Sequence, residues 1–583
     1  MALPAEGSDR LVAVAARRGR FLVAEPLFER GAEQVAIAGG VRVRGGEMVV
    51  IERRGARGSV VAEIGDPASA RDVAAALIWE HGGERGFGAD LETEAHDAIA
   101  GAERVEPERR DLTALDTFTV DPVTARDFDD AVSASTDGDG IRLWIHIADV
   151  AAHVRPGSGL DEEAARRANS VYVPGTVEPM LPHALSADAC SLVPGADRLA
   201  VTTEILLGAD REPRSASFYR SRIRSDERLS YDQLDDFFAG RAHAPELIAA
   251  PLELARRAAA ALRDRRRGSA LEISTPEPEF EFDSDGGVVR AHTVEQTEAH
   301  GLIEQLMICA NERVAEHCER RGVPTIYRVH ERPDPARVAS LVAKLAALGV
   351  PTPPLPKEIA SISQAEAAEI VAKASTMVAR EAERRGHGRA AYTSLVLRSL
   401  KPALYSDRNL GHAGLGSPAY AHFTSPIRRY PDLVAHRALL STLGAGEAEP
   451  ERGEAREAAE WCSERDREAM RCERDADDAC AAFLLERELF EAGPKHEFEG
   501  EVSGVIAPGA FVSFGGELGD VYEGFLPARR LRGERFDLNE TETAIVGRRS
   551  GKQLRLGDPV TVRVDGIEAP RGRVDLVPVG ELS

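Results

Sequence analysis

The spacing of apolar and polar positions changes along the chain. Residues 10–66 alternate in short runs, "RFLVAEPL", "EQVAIAG", "VRVRGGEMVVIERR" and "GSVVAEIG", separated by glycine or charged turns. Runs of that kind predict strands, and together they fit one small β-barrel. Residues 67 to about 110 turn helical: "SARDVAAALIWEHG" spaces Val73, Ala76, Ile78 and Trp79 at roughly helical intervals, and Gly82-Gly83 marks a stop. From 111 to about 445 strands and helices mix. "GIRLWIHIADV" places Ile141, Leu143, Ile145 and Ile147 on one face of a strand, whereas "EAHGLIEQLMICANERVAEHCERRG" carries Leu302, Leu306, Cys309 and Val314 as a helical stripe with Gly322 past its end. "DPARVASLVAKLAALGV" predicts another helix. Residues 454–492 predict a long charged one, with Ala476, Cys480 and Phe483 at helical spacing and Gly493-Pro494 as terminator. Residues 495–583 alternate again. "FEGEVSGVI", "AFVSFGG", "VYEGFLP", "DPVTVRVDGI" and "GRVDLVPV" predict five short strands and an OB-type barrel.

Size and composition narrow the class. A chain of 583 residues with 43% apolar content is long enough for three or four domains and for large cores. It has no run of eighteen apolar residues, so no membrane span is expected. The opening "MALPAEGSDR" has neither a basic nor an apolar region, so no secretory signal is expected. Cys190, Cys309, Cys318, Cys462, Cys472 and Cys480 form no C-x-x-C pair; reduced, buried thiols in a cytoplasmic protein are the expectation. The formal charge is 73 − 97 = −24. That argues against loose binding of nucleic acid over the whole surface and leaves room for a basic channel inside an acidic shell. Arginine supplies nearly all the positive charge, which suits bidentate phosphate contacts, although genomic base composition produces the same bias.

One stretch concentrates negative charge. "TVDPVTARDFDDAV" packs Asp121, Asp127, Asp129 and Asp130 into ten positions after an apolar lead-in, Phe118 and Val120. Like charges so close are costly in a partly buried turn unless a cation neutralises them. Magnesium or manganese, hard ions that take oxygen ligands and keep waters for a substrate phosphate, would do so. The alternative is an acidic surface loop. An aspartyl-phosphate site is set aside, because Asp121 is followed by Pro-Val-Thr rather than by the second aspartate of a D-x-D pair.

The same stretch resembles the signature of the ribonuclease II / ribonuclease R (RNB) family, T-[IV]-D followed by A-x-D-[FM]-D-D. Further blocks resemble it in order: "HIADVAAHVRPGSGLDEEAARRANSVYVPGTVEPMLPHALSADACSL" from His146, "YRVHERP" from Tyr327, and "LRSLKPALYSDRNLGHAGLGSPAYAHFTSPIRRYPDLVAHRAL" from Leu397. The resemblance covers roughly residues 110–490. It implies an α+β multidomain chain: an N-terminal cold-shock-type OB barrel (1–66), a helical connector (67–110), an RNB catalytic domain (111–493) and an S1-type RNA-binding barrel (494–583). The implied activity is processive 3'→5' exoribonuclease action on single-stranded RNA, releasing nucleoside 5'-monophosphates with Mg²⁺, or Mn²⁺ as substitute.

Site residues follow from the same resemblance. Asp121, Asp127 and Asp130 are implied metal ligands. Asp129 is the catalytic aspartate expected to be least dispensable. Only one of the two adjacent arginines in "FTSPIRRYPD" can easily point into a site, and the resemblance selects Arg428 as the phosphate clamp; for a lone arginine a surface salt bridge is the alternative. Tyr172 and Tyr231 match aromatics that grip the RNA, stacking being tolerant of base identity; for Tyr172 an ordinary core tyrosine is the alternative. Glu304 matches a carboxylate associated with the ribose, whose 2'-OH separates RNA from DNA. Many relatives carry a second acid where Gln305 stands. Glu473 aligns near the exit of the pocket, with a solvated helix face as the alternative. His146 and Asp149 read as scaffold.

Departures from the pattern matter too. Larger members carry a second cold-shock barrel, an N-terminal helix-turn-helix region and a basic tail, none of which is evident here. The first barrel offers few aromatic candidates, Phe21 and Phe28. Weak capture of RNA outside the core is therefore expected, and stalling on duplexes. Single-stranded RNA is the implied partner, with an RNA helicase or other RNA-decay factor as candidate accessory, and a monomer is expected. Two rivals stand beside this reading: a catalytically silent RNA-binding regulator on the same fold, and an acidic scaffold protein.

Overall fold

The computed structural model describes residues 10–580, apart from 20, 30, 39–42, 56, 105–108, 269, 272–276, 295, 357, 359–361, 445, 517–520 and 532–533. The first nine residues, on which the expectation of no leader rests, lie outside the described residues, as do the last three.

Strands Arg10–Arg18, Phe21–Pro26, Val35–Ile37, Met48–Arg54 and Arg57–Gly65 close into the expected barrel. Alternate residues such as Ala13, Ala15, Val49 and Ile51 fill it. Phe21 is exposed, but Phe28 is half-buried against the helix that follows, so the aromatic platform is thinner than the sequence suggested. That helix, Ala70–Glu80, is capped by Ser69, whose side chain accepts the Asp72 N–H, and it buries Val73, Ala76 and Ile78.

The middle of the chain builds a seven-stranded sheet in the order Glu227–Leu229, Phe118–Val120, Asp130–Asp137, Gly140–Ala148, Asp197–Leu207, Pro213–Arg224, Arg110–Asp111. Ile141, Leu143, Ile145 and Ile147 are buried as their alternation requires. Helices Glu246–Arg266 and Glu298–Arg321 pack on this sheet, the second ending at Gly322 in the left-handed conformation, φ 72°. Its predicted stripe, Leu302, Leu306, Cys309 and Val314, is buried in the same core as the sheet.

Helices Pro335–Ala347, Gln364–Arg385 and Arg389–Ser399 share a second core with the C-terminal barrel rather than with the sheet. That barrel closes from the five expected strands, Phe498–Ile506, Gly509–Phe514, Tyr522–Pro527, Pro559–Glu568 and Arg573–Pro578. A three-stranded sheet over residues 536–555, which the sequence pattern did not reveal, is inserted between the third and fourth. Helix Arg452–Ala492, 41 residues long, touches the helix beside the first barrel, the hairpin strand Val171–Val173 and the second barrel. All six cysteines are buried and free, and no helix is long and apolar enough to cross a membrane among the described residues.

Candidate active site

The aspartate stretch is a loop braced on three sides. Phe118–Val120 is a buried strand that pairs with both neighbours, and Asp121 continues it by donating its N–H to Leu229 O at 3.1 Å. Arg228 then holds the outward turn, its Nη2 donating to Pro122 O at 2.6 Å and Val123 O at 3.0 Å. Phe128 plugs the loop into the core beneath the Arg228 guanidinium. Ser191 fastens it from the other side, accepting the Phe128 N–H at 3.0 Å and donating to Arg126 O at 2.8 Å. Asp130 is not in the loop, as the sequence pattern suggested, but opens the next strand.

A second turn meets this one. In Ser425-Pro426-Ile427-Arg428 the Ile427 N–H donates to Asp129 Oδ1 at 2.9 Å, and Arg428 Nε stands 3.6 Å from Asp129 Oδ2. Arg428 and Arg429 diverge. Arg429 turns inward, donating to the fully buried Asp432 at 2.8 Å, while the Arg428 side chain stays 42% exposed, on the aspartate side. Asp432 also accepts the Ser425 N–H at 2.8 Å, so this buried pair shapes the turn that presents Arg428.

Tyr172 lies across from them on the hairpin Val171–Val173/Thr176–Glu178. Its hydroxyl donates to Asp127 Oδ2 at 3.2 Å, and its backbone N–H donates to Glu473 Oε1 at 3.1 Å. Glu473 therefore braces the tyrosine's main chain from the long helix, a task neither alternative for that residue anticipated. Tyr231 is the first residue of helix Tyr231–Phe238. Ser230 and Gln233 cap that helix reciprocally, at 3.2 and 2.9 Å. Glu304 is exposed on helix Glu298–Arg321, whereas Gln305 beside it is buried, so of the two it is Glu304 that solvent and ligands can reach. A cavity of about 360 Å³ lies elsewhere, at the C-terminal barrel beside Arg337, Lys344 and Arg398, and the aspartates do not line it.

His146 and Asp149 are scaffold, as expected. His146 is fully buried, with Nδ1 2.8 Å from Thr202 Oγ1 and Nε2 3.2 Å from Ser133 Oγ. Asp149 is buried between Arg109 and Arg220, at 2.8 and 2.9 Å. Sequence reasoning assigned no role to the supporting parts Ser191, Arg228, Ile427 and Asp432: Ser191 and Arg228 reach the aspartate loop from distant positions, Ile427 acts through its backbone N–H, and Asp432 shapes its own turn.

Electrostatically the site is short of positive charge. Burial raises the Asp121 carboxyl well above the usual range, and the charge of Asp130 raises it further. Asp130 is raised chiefly by burial, against which Arg428 and Arg429 pull. Asp129 is raised by burial too, despite Arg428 and the Ile427 N–H. Asp121 Oδ2 and Asp129 Oδ2 are buried with no hydrogen-bond partner among the described residues. Crowded, buried carboxylate oxygens without donors fit a hard divalent cation. Among the described residues no group of three His, Cys, Asp or Glu side chains is placed to hold a metal by itself. Magnesium does not need one, because it is usually held by one or two carboxylates together with waters and substrate phosphate oxygens. The residues present therefore fit such an ion by charge and by donor chemistry.

A carboxylate cluster beside a partly exposed guanidinium and a half-exposed tyrosine is suited to a phosphodiester, and comparison with known proteins agrees. The RNB domain matches residues 109–445, more than half of the chain. The sequence is 33% identical over 555 residues to Ribonuclease R of Aquifex aeolicus, covering 92% of this chain and 75% of that protein. It is 35% identical over 496 residues to Ribonuclease R of Thermotoga maritima, covering 81% and 65%. The fold is similar to the structure of Mycoplasma genitalium RNase R in complex with ribose methylated single-stranded RNA, with a TM-score of 0.84, 24% identity, and 98% and 90% of the two chains covered. The chain belongs to the RNB family.

Proposed function

We propose that the chain is a hydrolytic, processive 3'→5' exoribonuclease that releases nucleoside 5'-monophosphates from single-stranded RNA, with Mg²⁺ as the ion and Mn²⁺ as substitute. The observation that carries this reading is the Asp129–Ile427–Arg428 contact: a buried carboxylate with one oxygen fixed by a backbone N–H and the other, without a hydrogen bond among the described residues, ion-paired with the Arg428 guanidinium at 3.6 Å.

In this reading carboxylates drawn from Asp121, Asp127 and Asp130, together with waters and phosphate oxygens, would hold the metal, and the ion would supply positive charge for the phosphate. Asp129 orients the attacking water through Oδ2, the oxygen that takes no hydrogen bond from Ile427. Arg428, fixed by its turn and by a 3.1 Å bond to Ser425 Oγ, clamps the scissile phosphate and the charge that develops on it. Tyr172 packs against the 3'-terminal nucleotide, its hydroxyl tied to Asp127 and its backbone to Glu473. Tyr231 stacks further back, and Glu304 reads a 2'-OH. A catalytically silent regulator is not favoured, because all four aspartates and Arg428 are present. Phe21 is the exposed aromatic of the first barrel among the described residues, so RNA is gripped mainly in the core, and a tailed duplex should stall digestion near the duplex.

The test is labelled single-stranded RNA incubated with Mg²⁺ and, separately, with EDTA. Mononucleotides bearing 5'-phosphates in the first arm only are expected; binding without products in both would overturn the reading.

A further inference from the structure

Tyr231 and Glu304 come from different elements, and a ring stack links the two. Burial holds the proton on the Tyr231 phenol, and the charges of Asp130 and Asp121 act in the same direction. One face of its ring lies flat on the imidazole of His300, with centroids 4.0 Å apart and planes 11° apart. His300 is the third residue of helix Glu298–Arg321 and stands where a capping box usually has Glu or Gln. Its Nδ1 accepts the Thr297 N–H at 3.4 Å and lies 2.8 Å from Thr297 Oγ1, so the ring is pinned by its own N-cap. Burial lowers its pKa, consistent with a neutral ring whose Nδ1 accepts. A second tie joins the same two helices: Asp235, one turn after Tyr231, accepts the Ala299 N–H at 3.3 Å. Four residues after His300, on the same helical face, comes Glu304.

We propose that His300 is a positioning residue for RNA binding, holding the Tyr231 ring by stacking and setting it in register with Glu304 one helical turn away. The arrangement makes one wall running from the aspartates through Tyr231 and His300 to Glu304. This deepens the exoribonuclease reading and rests on it for the identity of the ligand. A loose Tyr231 ring would still fill space, but it would pay orientational entropy each time a base stacked on it.

The test is a double-mutant cycle read as the Kd for a fluorescein-labelled single-stranded RNA in EDTA, so that no cleavage is needed. His300→Ala is expected to weaken binding about 5–10-fold, part of the effect of losing a stacking platform. Tyr231→Ala should weaken it more, and the double variant should be no weaker than Tyr231→Ala alone. His300→Phe, which keeps a flat ring, should bind within about twofold of the parent, whereas His300→Leu, which fills the space without a ring, should behave as His300→Ala. The Leu and Phe pair also decides the matter if the alanine variant folds poorly. Losses that multiply in the double variant, or a leucine variant that binds as well as the phenylalanine variant, would overturn the proposal. A parent protein that binds RNA and never cuts it sinks the nuclease reading while leaving the cycle to be read.

Discussion

The Ile427 N–H donates to Asp129 Oδ1 across 298 residues of chain, and that single bond seats the aspartate loop against the arginine turn. It leaves Asp129 with one oxygen committed and one, Oδ2, without a hydrogen-bond donor among the described residues. In the proposed mechanism this division lets one carboxylate serve as a structural pin and as the group that orients water.

Asp129→Asn separates the two roles. The asparagine Oδ1 can still accept from Ile427, so the loop should stay in place, while the negative charge at the second position is lost. Cleavage is expected to fall by about 10²-fold or more, the scale of removing a group that acts in the transition state, with Kd for RNA changed by less than about threefold. Single-turnover cleavage and anisotropy measure the two; a variant cutting at the parent rate would remove Asp129 from the chemistry.

Neighbouring arginines should fail in different ways. Arg428→Lys keeps a charge but loses the planar fork, so kcat should drop at least about 10-fold with the thermal midpoint unchanged. Arg429→Ala should instead strip the partner from the buried Asp432 and cost about 3 kcal/mol of stability. The pair is compared by thermal unfolding beside activity; equal loss of stability in both would contradict the opposite orientations.

Metal uptake should release protons. Burial raises Asp121 and Asp130 in the protein without metal, and the Asp130 charge raises Asp121 further, so each holds a proton to higher pH than a free aspartate does. A cation must displace those protons, and apparent affinity for Mn²⁺ should therefore rise with pH through neutrality and level off above about 8. Calorimetry in two buffers of different ionisation enthalpy reports the count. Asp121→Asn should lower it, and an unchanged count would place the ion elsewhere.

Buried histidines set an acid limit on stability. His146 is held down to about 3 by burial, and His436, buried and bonded to Phe423 O at 2.8 Å, to about 4. Unfolded histidine titrates near pH 6.5, so below that pH the unfolded chain binds protons that the folded chain refuses. Their stabilising contribution is whole above pH 6.5 and is lost as pH falls toward 4, by up to about 2 kcal/mol for each histidine at pH 5. The raised aspartates pull in the opposite sense, so the informative quantity is a difference. Urea unfolding of His146→Asn should show a pH slope smaller by about one proton between pH 6.5 and 5; an identical slope would mean that His146 is charged in the fold.

Much of this was open to reading in one dimension. The barrels, the sheet strand 140–148, the helices ending at Gly322 and Gly493, and the membership of Asp121, Asp127, Asp129, Asp130 and Arg428 in one site all leave local traces: periodicity, capping residues, clustered charge and ordered motifs. What stayed hidden was everything carried by long-range contacts. No spacing rule announces that Glu473 would bond the backbone of Tyr172, that Phe28 would fold inward, that a three-stranded sheet would interrupt the second barrel, or that helices 335–399 would share a core with that barrel. The sequence by itself determined which groups are present and which segments carry them, because side-chain chemistry and local backbone preference are properties of neighbours along the chain. Only the tertiary structure decided which oxygen of Asp129 is taken, which buried carboxylate holds Arg429, and whose ring lies on Tyr231, because those follow from which surfaces exclude water together.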